Sequence, residues 1–265
     1  MTEPHVSELA IYPVKSLAQI QLSVARVHRF GLLHDRRWML VDANGHFITQ
    51  RQVTRMCLIQ PELRGADLIL QAPDMPVLTV SPPGADDKRR VTVWDDECDG
   101  LDCGDEVAEW LGRFLAIDCR LVFFPEDAVR AVDPHYAQAS DRTAFSDGFP
   151  LLLIAQASLD DLNNRLDTPI AMARFRPNVV VSGCEAFAED DWRRIRIGDI
   201  SFRVVKPCSR CSIPAIDPTT GERGPEPTRT LSRYRQRDNK IFFGQNVIAD
   251  GEGEIRNGMA VEVLE

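Results

Sequence analysis

Two cysteines separated by two residues, Cys208 and Cys211, form the pattern in this sequence with the most evident chemistry. Arg210 lies between them, and prolines stand on both sides at positions 207 and 214. A cysteine thiolate is a soft ligand for soft metals, and a guanidinium recognises anionic groups through several donors held in one plane. The segment therefore has the residue types to hold a metal together with an anionic cofactor.

Four interpretations of this pair are consistent with the residue types alone. A redox pair of the thioredoxin type needs a helix at the second cysteine, and the prolines at 214 and 218 disfavour that helix. A structural zinc site needs two more ligands, and Cys98 with Cys103 is the other close pair in the chain. A metallocofactor site needs one thiolate on a fixed loop with cations beside it. The two cysteines could also be small apolar residues of the core.

Basic and amide side chains elsewhere in the chain could complete an anion site. Lys15 and Ser16 follow the first predicted strand, where a loop exposes backbone N–H groups that suit an anion. Arg36 precedes another predicted strand, and a proline fixes the turn between Arg176 and Asn178. Taken singly, each of these motifs is also typical of a solvated surface residue.

Two glycine-containing motifs are less specific. Gly244 stands inside a strand pattern, followed by Gln245 and Asn246, and would permit either the close approach of a ligand or a simple bulge. Residues 146–150 have the composition of a plain turn. Neither motif indicates a function by itself.

Composition narrows the class of protein. The chain has 265 residues, of which 44% are hydrophobic, so it can form a substantial core, while its formal net charge of −9 argues against nucleic acid or an anionic membrane as the main partner. Seven cysteines, an odd number, and an amino terminus without a signal pattern predict a reduced, cytoplasmic protein. No apolar run approaches the roughly 20 residues of a membrane-spanning helix, so we expect no membrane span.

Short apolar runs broken by turn residues predict a mostly β fold with minor helices, of the α+β class. Expected strands cover residues 9–12, 24–30, 38–41, 68–70, 77–80, 91–94, 119–124, 151–155, 178–182, 195–197, 200–205, 241–243, 247–249 and 260–264. Apolar residues at helical spacing predict a helix over 105–115, another capped by Ser158, and a short one near 230–235. The polar segment 125–147 predicts a linker, which divides the chain into residues 1–124 and 125–265.

Five segments together resemble one known family. Residues 12–16, 34–38, 176–178, 208–221 and 243–245 occur in the order seen in MOSC-domain proteins. The chain is most similar to the branch that includes the mitochondrial amidoxime-reducing component and its bacterial relatives, over nearly its whole length. The resemblance implies a MOSC N-terminal β-barrel-like domain at 1–124 and a β-barrel MOSC domain that binds the molybdenum cofactor at 125–265.

The resemblance also implies a cofactor and the residues that hold it. The cofactor would be molybdenum on a pyranopterin, with Cys211 as the thiolate ligand of the metal and the catalytic residue, and Cys208 would make no metal bond. Further positions match residues that hold the pterin and its phosphate or flank the metal ligand; they are Lys15, Ser16, Arg36, Arg176, Asn178, Ser209 and Arg210.

The implied activity is that of an oxidoreductase. Its substrates would be small N-hydroxylated compounds, namely amidoximes, hydroxylamines or N-hydroxylated nucleobases, which transfer oxygen to molybdenum. Because the chain lacks the four-cysteine spacing of an iron–sulfur cluster, we expect a separate electron-donor protein of the iron–sulfur or flavin type. MOSC domains also occur in cofactor sulfurases, so the alternative is a molybdenum-cofactor carrier or sulfur-transfer protein without reductase activity.

Overall fold

The computed structural model describes residues 3–85 and 87–265, and within them strands predominate. The strands are β1 His5–Ile11, β2 Ile20–Leu22, β3 Val24–His28, β4 Gly31–Leu32, β5 Trp38–Val41, β6 Gln60–Arg64, β7 Asp67–Gln71, β8 Leu78–Val80, β9 Lys88–Val93, β10 Asp96–Asp102, β11 Arg120–Phe123, β12 Leu151–Ala155, β13 Val179–Ser182, β14 Arg194–Ile197, β15 Ile200–Ser209, β16 Gln236–Arg237, β17 Lys240–Ala249, β18 Gly253–Arg256 and β19 Val261–Val263. The α-helices are α1 Asp105–Leu115, α2 Gln156–Asn163 and α3 Thr228–Ser232. The fold class expected from the sequence is confirmed.

One large sheet organises the molecule. Its strand order is β19-β14-β15-β17-β12-β13-β1-β2, with β16 added to one end of β17. β12 and β13 run parallel, and the other neighbours are antiparallel. Apolar side chains of β1, β14 and β15, such as Val6, Ile195 and Phe202, meet in one buried cluster. Strands from the beginning of the chain therefore complete the sheet and the core of its second half.

The remaining strands form smaller sheets. β5-β11-β10-β9 and β6-β7-β8 lie in the first half, whereas β3 and β4 pair with β18 from near the carboxyl terminus. Helix α1 packs on β8 and β11 and buries one apolar stripe that includes Trp110, Leu111 and Phe114. Burying each such side chain contributes about 1.5–3 kcal/mol, which explains why a helix forms here within a β-rich half.

Most predicted elements are present, but the strands β2, β4, β6, β10, β16 and β18 were not predicted, and two further details of the prediction were wrong. Helix α2 begins at Gln156, and its N-cap Ala155 makes no side-chain hydrogen bond. Ser158, the predicted cap, lies inside the helix and is buried, and its hydroxyl donates to the Glu189 carboxylate at 2.8 Å. Residues 240–249 form one continuous strand instead of the two expected, because Gly244 bends the strand without ending it.

The boundary predicted after residue 124 stays a prediction. β1 and β2 pair within the sheet that also holds β12 to β17, and β3 pairs with β18, so backbone hydrogen bonds join the two segments. In residues 3–85 and 87–265, no helix is both long enough and apolar enough to cross a membrane.

Candidate functional site

A cavity of about 260 Å³ lies at one end of the large sheet. β1 and β15 run towards this end, β12 and β13 begin there, and β17 passes beside it. All eight residues that the sequence predicted for the site line this cavity; they are Lys15, Ser16, Arg36, Arg176, Asn178, Ser209, Arg210 and Cys211. The fold thus brings together residues that are up to 196 positions apart in the chain.

The loop that carries the two cysteines continues from β15. The pairing of β15 with β17 shifts register after Val204 and again after Pro207, which is the irregularity of a β-bulge. Beyond these shifts the backbone N–H of Arg210 donates to Ile241 O at 2.7 Å, so the loop stays tied to β17. Its register is therefore fixed although Cys211 itself is exposed.

Arg210 holds one of the two cysteines and leaves the other free. Its Nη1 donates to Cys208 Sγ at 3.2 Å, and its Nη2 donates to Phe175 O at 2.7 Å. Cys211 follows directly, lines the cavity and has a free thiol. The two cysteines thus have different surroundings, and the thiol available to a ligand in the cavity is that of Cys211.

The alternative interpretations of the pair gain little from the structure. Ile213–Ala215 is a single 3₁₀ turn, so the second cysteine is not at the start of an α-helix that would stabilise a thiolate. Cys98 and Cys103 lie apart in two buried clusters, and burial raises the pKa of Cys98 to about 11 and that of Cys103 to about 12. Across residues 3–85 and 87–265, no three His, Cys, Asp or Glu side chains are grouped to hold a metal ion.

Lys15 reaches the cavity from the loop after β1. Its side chain is 7% exposed, and its Nζ donates to Phe145 O at 2.8 Å and to Asp147 Oδ1 at 2.5 Å. Burial, partly offset by the carboxylate of Asp147, lowers the pKa of Lys15 to about 8. Its positive charge is therefore sensitive to pH just above neutrality.

Two arginines stack on one aromatic ring. The guanidinium carbons of Arg36 and Arg176 lie 4.3 Å and 4.1 Å from the centroid of Tyr12. Arg36 is further fixed by Asp35 Oδ2 at 2.5 Å and by Asn178 Oδ1 at 3.0 Å. Such contacts hold guanidinium groups in place at close quarters despite their like charge.

The side chain of Asn178 makes hydrogen bonds to three other residues. Its Oδ1 accepts from Arg36 and from the backbone of Leu152 at 3.2 Å, and its Nδ2 donates to Ala10 O at 3.1 Å. Both ends of the amide are thus engaged within the protein. The structure places Asn178 in the cavity wall, where it positions Arg36 and joins β1 to β12.

Two guanidinium nitrogens in the cavity wall are buried without a partner. Among the described residues they are Arg176 Nη2 and Arg210 Nε, which make no hydrogen bond. Arg176 donates through Nη1 to Leu17 O at 2.6 Å, and burial lowers its pKa to about 10. An unpaired buried donor costs about 1–3 kcal/mol, more when charged, so these two atoms favour an anionic ligand in the cavity.

The backbone at three of these residues is in a conformation that side chains other than glycine rarely adopt. Ser16 has φ 72°, Arg36 has φ 48° and Arg176 has φ 58°. Each such residue costs on the order of 1–3 kcal/mol and persists where the surrounding structure requires it. Here the strain accompanies side chains directed at one cavity.

Gly244 is explained by packing within the protein and not by a ligand. It has φ 80°, and a Cβ at this position would lie 2.6 Å from Ile154 Cγ1 and 2.9 Å from Leu153 O. The backbones of β12 and β17 approach closely here, at a register irregularity opposite β15. The bulge interpretation of the motif is the one that agrees with the structure.

Comparison with known proteins assigns the family. The profile of the MOSC N-terminal beta barrel domain matches residues 3–118, and that of the MOSC domain matches residues 140–262. Mitochondrial amidoxime-reducing component 1 of Homo sapiens is 37% identical over 280 residues, an alignment that covers 98% of this chain and 82% of the relative. The chain belongs to the amidoxime-reducing component family. The resemblance inferred from the five segments is confirmed.

Two further members give the same picture. Mitochondrial amidoxime-reducing component 1 of Mus musculus is 36% identical over 280 residues, with 98% of this chain and 82% of the relative covered. Mitochondrial amidoxime reducing component 2 of Homo sapiens is 37% identical over 242 residues, with 87% and 72% covered. The family relationship therefore extends across both segments of the chain.

Besides Cys208, five polar residues of the cavity in this member of the amidoxime-reducing component family were not predicted as site residues. They are Thr49, Ser146, Asp147, Lys206 and Asn246. Asn246 stood in the glycine-containing motif described above, and Lys206 directly precedes Pro207 of the cysteine segment, so their place beside these motifs was the usable signal; the structure pairs the two residues across β15 and β17. Asp147 stood in a segment interpreted as a plain turn, and no local pattern distinguished Thr49.

Proposed function

We propose that this protein is a molybdenum-cofactor oxidoreductase that reduces small N-hydroxylated compounds. The observation that carries the proposal is a free, exposed thiol, Cys211, in a cavity whose wall contains two unpartnered guanidinium nitrogens. Membership in the amidoxime-reducing component family supports the same activity.

The residues of the cavity fit an anionic metallocofactor. Five lining side chains are cationic, namely Lys15, Arg36, Arg176, Lys206 and Arg210, whereas Asp147 is the acidic one. A thiolate suits a soft metal, and guanidinium groups suit the phosphate and other anionic groups of a pyranopterin. Cys211 would bind the metal, and the nearby Arg210 and Arg176 would compensate the negative charge.

When bound, the molybdenum cofactor would supply the two electrons that, together with two protons, convert the N–OH group of the substrate to N–H and release water. The chain itself supplies the thiolate of Cys211 and a fixed frame of charges around it. Arg210 keeps the neighbouring Cys208 thiol engaged, so a single cysteine is presented to the metal. The exposed position of Cys211 leaves the substrate a path to the cavity from solvent.

Two further points belong to the proposal. We expect the electrons to come from a separate iron–sulfur or flavin protein, which docks where the cavity opens. We also expect the protein to work in the cytoplasm, since Cys57, Cys98, Cys103, Cys119, Cys184, Cys208 and Cys211 are all free, as is usual in a reducing compartment.

The test uses protein expressed in a host that makes the molybdenum cofactor. Elemental analysis and pterin content are measured, followed by turnover of an amidoxime with a chemically reduced viologen dye. We expect one molybdenum and one pterin per chain together with amidine formation. Equimolar zinc without molybdenum would overturn the cofactor assignment, and bound molybdenum that is passed to an acceptor protein without any turnover would favour a carrier.

A further inference from the structure

Residues 146–149 form one edge of the cavity, and two residues of this short segment each contact an aromatic side chain from another part of the chain. Asp147, whose side chain is 59% exposed, accepts a hydrogen bond from Trp94 Nε1 at 3.2 Å. Phe149 contacts Tyr136, with ring centroids 6.0 Å apart. Asp147 and Phe149 line the cavity, so Trp94 and Tyr136, which do not line it themselves, each contact a residue of its wall.

Trp94 occupies an unusual position for a large apolar side chain. It lies in the turn between β9 and β10, is 44% exposed and has φ 58°. A bulky residue with positive φ is a genuine backbone outlier, and such strain concentrates at ligand-binding sites. The Arg51 guanidinium lies 4.4 Å above the indole and Phe47 packs 5.1 Å from it, so the ring is held in one orientation.

The second aromatic group is built in the same way. Tyr136 is 38% exposed and belongs to the segment between β11 and β12. Lys206 Nζ lies 4.3 Å from the Tyr136 centroid and also contacts Phe149, and Lys206 lines the cavity. A cation from the cavity wall therefore fixes the exposed ring beside the opening.

The residues that contact Trp94 and Tyr136 are close together in the chain. Asp147 and Phe149 are two residues apart, so their Cα atoms are at most about 7 Å from each other. The carboxylate of Asp147 still has acceptor capacity, because Lys15 and Trp94 both donate to its Oδ1. It can accept a hydrogen bond from the amino group of a ligand whose flat part contacts a ring.

We infer that Trp94 and Tyr136 form an aromatic rim that selects flat, conjugated N-hydroxylated substrates over aliphatic ones. This inference rests on the proposed function. Aryl amidoximes and N-hydroxylated bases have both a π-surface for the rings and N–H donors for Asp147, whereas an alkyl amidoxime has the donors only. The two rings are specificity-determining residues, and the reacting group enters the cavity beyond them.

The experiment compares benzamidoxime with acetamidoxime, which share the reacting group and differ in the ring. The variants are Trp94→Gly and Tyr136→Ala, since glycine adopts the positive φ of position 94 without steric cost. Kinetics are measured with reduced viologen on protein of known molybdenum and pterin content. We expect the ratio of kcat/KM for benzamidoxime over acetamidoxime to fall about three- to tenfold in each variant, through KM.

Two controls make the result specific. Val77→Ala removes another exposed apolar side chain, directly before β8 of the β6-β7-β8 sheet, and should leave the ratio at the wild-type value. Trp94→Phe keeps a ring and should retain most of the selectivity, and Tyr136→Ala decides the matter if Trp94→Gly does not fold. Wild-type protein that reduces neither amidoxime would overturn the proposed function. Wild-type activity on both, with an unchanged ratio in the rim variants, would overturn the rim alone.

Discussion

The guanidinium of Arg176 is the side chain that best explains why the cavity is suited to an anion. Its backbone has positive φ, its plane stacks on Tyr12, and one of its nitrogens is buried without a partner. The positive φ and the unpaired nitrogen each cost free energy, whereas the contact with Tyr12 is favourable, and a ligand that accepts a hydrogen bond would recover part of the cost of the unpaired nitrogen. Arg210 Nε, across the cavity wall, is in the same situation.

The candidate site could be predicted from the sequence to a considerable extent because its residues stand in recognisable local motifs. Lys15 with Ser16, Arg176 with Asn178, and the cysteine pair each follow or precede a strand at the same end of the sheet. Asp147 could not be predicted, because its role depends on Lys15 more than a hundred positions away. A turn composition says nothing about such a contact.

The two cysteines should respond differently to the same substitution. Cys211→Ser should abolish reductase activity and molybdenum retention, because a hydroxyl stays protonated at neutral pH and is a poor ligand for a soft metal. Cys208→Ser should keep most of both, since Cys208 already contacts Arg210. Activity and metal content of the two purified variants decide the point, and equal losses would contradict it.

Arg176→Ala should weaken cofactor retention without unfolding the protein. A charge-assisted hydrogen bond contributes about 1.5–3 kcal/mol, which corresponds to roughly a ten- to hundredfold loss of affinity. The matched control is Arg174→Ala, because Arg174 pairs with Asp217 at 2.7 Å and does not line the main cavity. Pterin content after gel filtration is the measurement, and equal occupancy in the two variants would remove Arg176 from the site.

Cofactor retention should also fall as the pH rises from about 7 to about 9.5, because deprotonation of Lys15 removes a cation from the cavity wall. Burial lowers the pKa of Lys15 to about 8, so the ammonium form that binds an anion prevails below this value and is lost above it. The Lys15→Met variant should retain less cofactor than wild type at neutral pH, and its retention should not fall further as the pH rises. A decline of the same size in the variant would assign it to another group.

At the scale of elements, local sequence patterns predicted the position of a strand or helix better than the contacts that fix its ends. The predicted bounds of β5, α1 and β12 agree with the structure, because β5 and β12 are short unbroken apolar runs and the apolar residues of α1 repeat with a helical period. The start of α2 was wrong, since Glu189 accepts from Ala155 N at 3.2 Å and from Ser158. A carboxylate from a distant 3₁₀ turn replaces the local cap, and sequence spacing does not show it.

Ser158→Ala should therefore destabilise the fold more than loss of an ordinary helix serine. The Ser158 hydroxyl donates to Glu189 and accepts from Phe187 N at 2.7 Å. The first of these hydrogen bonds is buried and the second is half-buried. Leaving these groups unpaired costs about 1–3 kcal/mol. Urea unfolding measures the loss, with Ser232→Ala in α3 as the control, because the Ser232 hydroxyl makes a solvent-exposed hydrogen bond to Arg229 O; this variant should stay within about 0.5 kcal/mol of wild type. Equal midpoints would show that Glu189 finds other partners.

At the scale of the whole molecule, the cavity depends on strands from both ends of the chain. β1 pairs with β13, β2 pairs with β1, and the loop between β1 and β2 carries Lys15 and Ser16. The chain as a whole has a formal net charge of −9, whereas five cationic side chains line the cavity, so the anion site is a local feature of an acidic protein. The order of motifs in the sequence does not reveal that β1 pairs with β13, because the pairing of strands more than 160 residues apart has no local sequence pattern.

The last prediction concerns the linker and the pairing across it. A fragment of residues 125–265 should not fold to a monomer, because without β1 it exposes the edge of β13 and lacks the core residues Val6, Leu9 and Ile11. The full chain with a protease site inserted after the exposed Asp127 should keep both pieces together after cleavage, since β1 and β3 still pair with β13 and β18. Gel filtration and chemical unfolding compare the nicked protein with the fragment. Cooperative unfolding of the isolated fragment as a monomer would mean that residues 125–265 are an independent folding unit and that the shared sheet adds little to its stability.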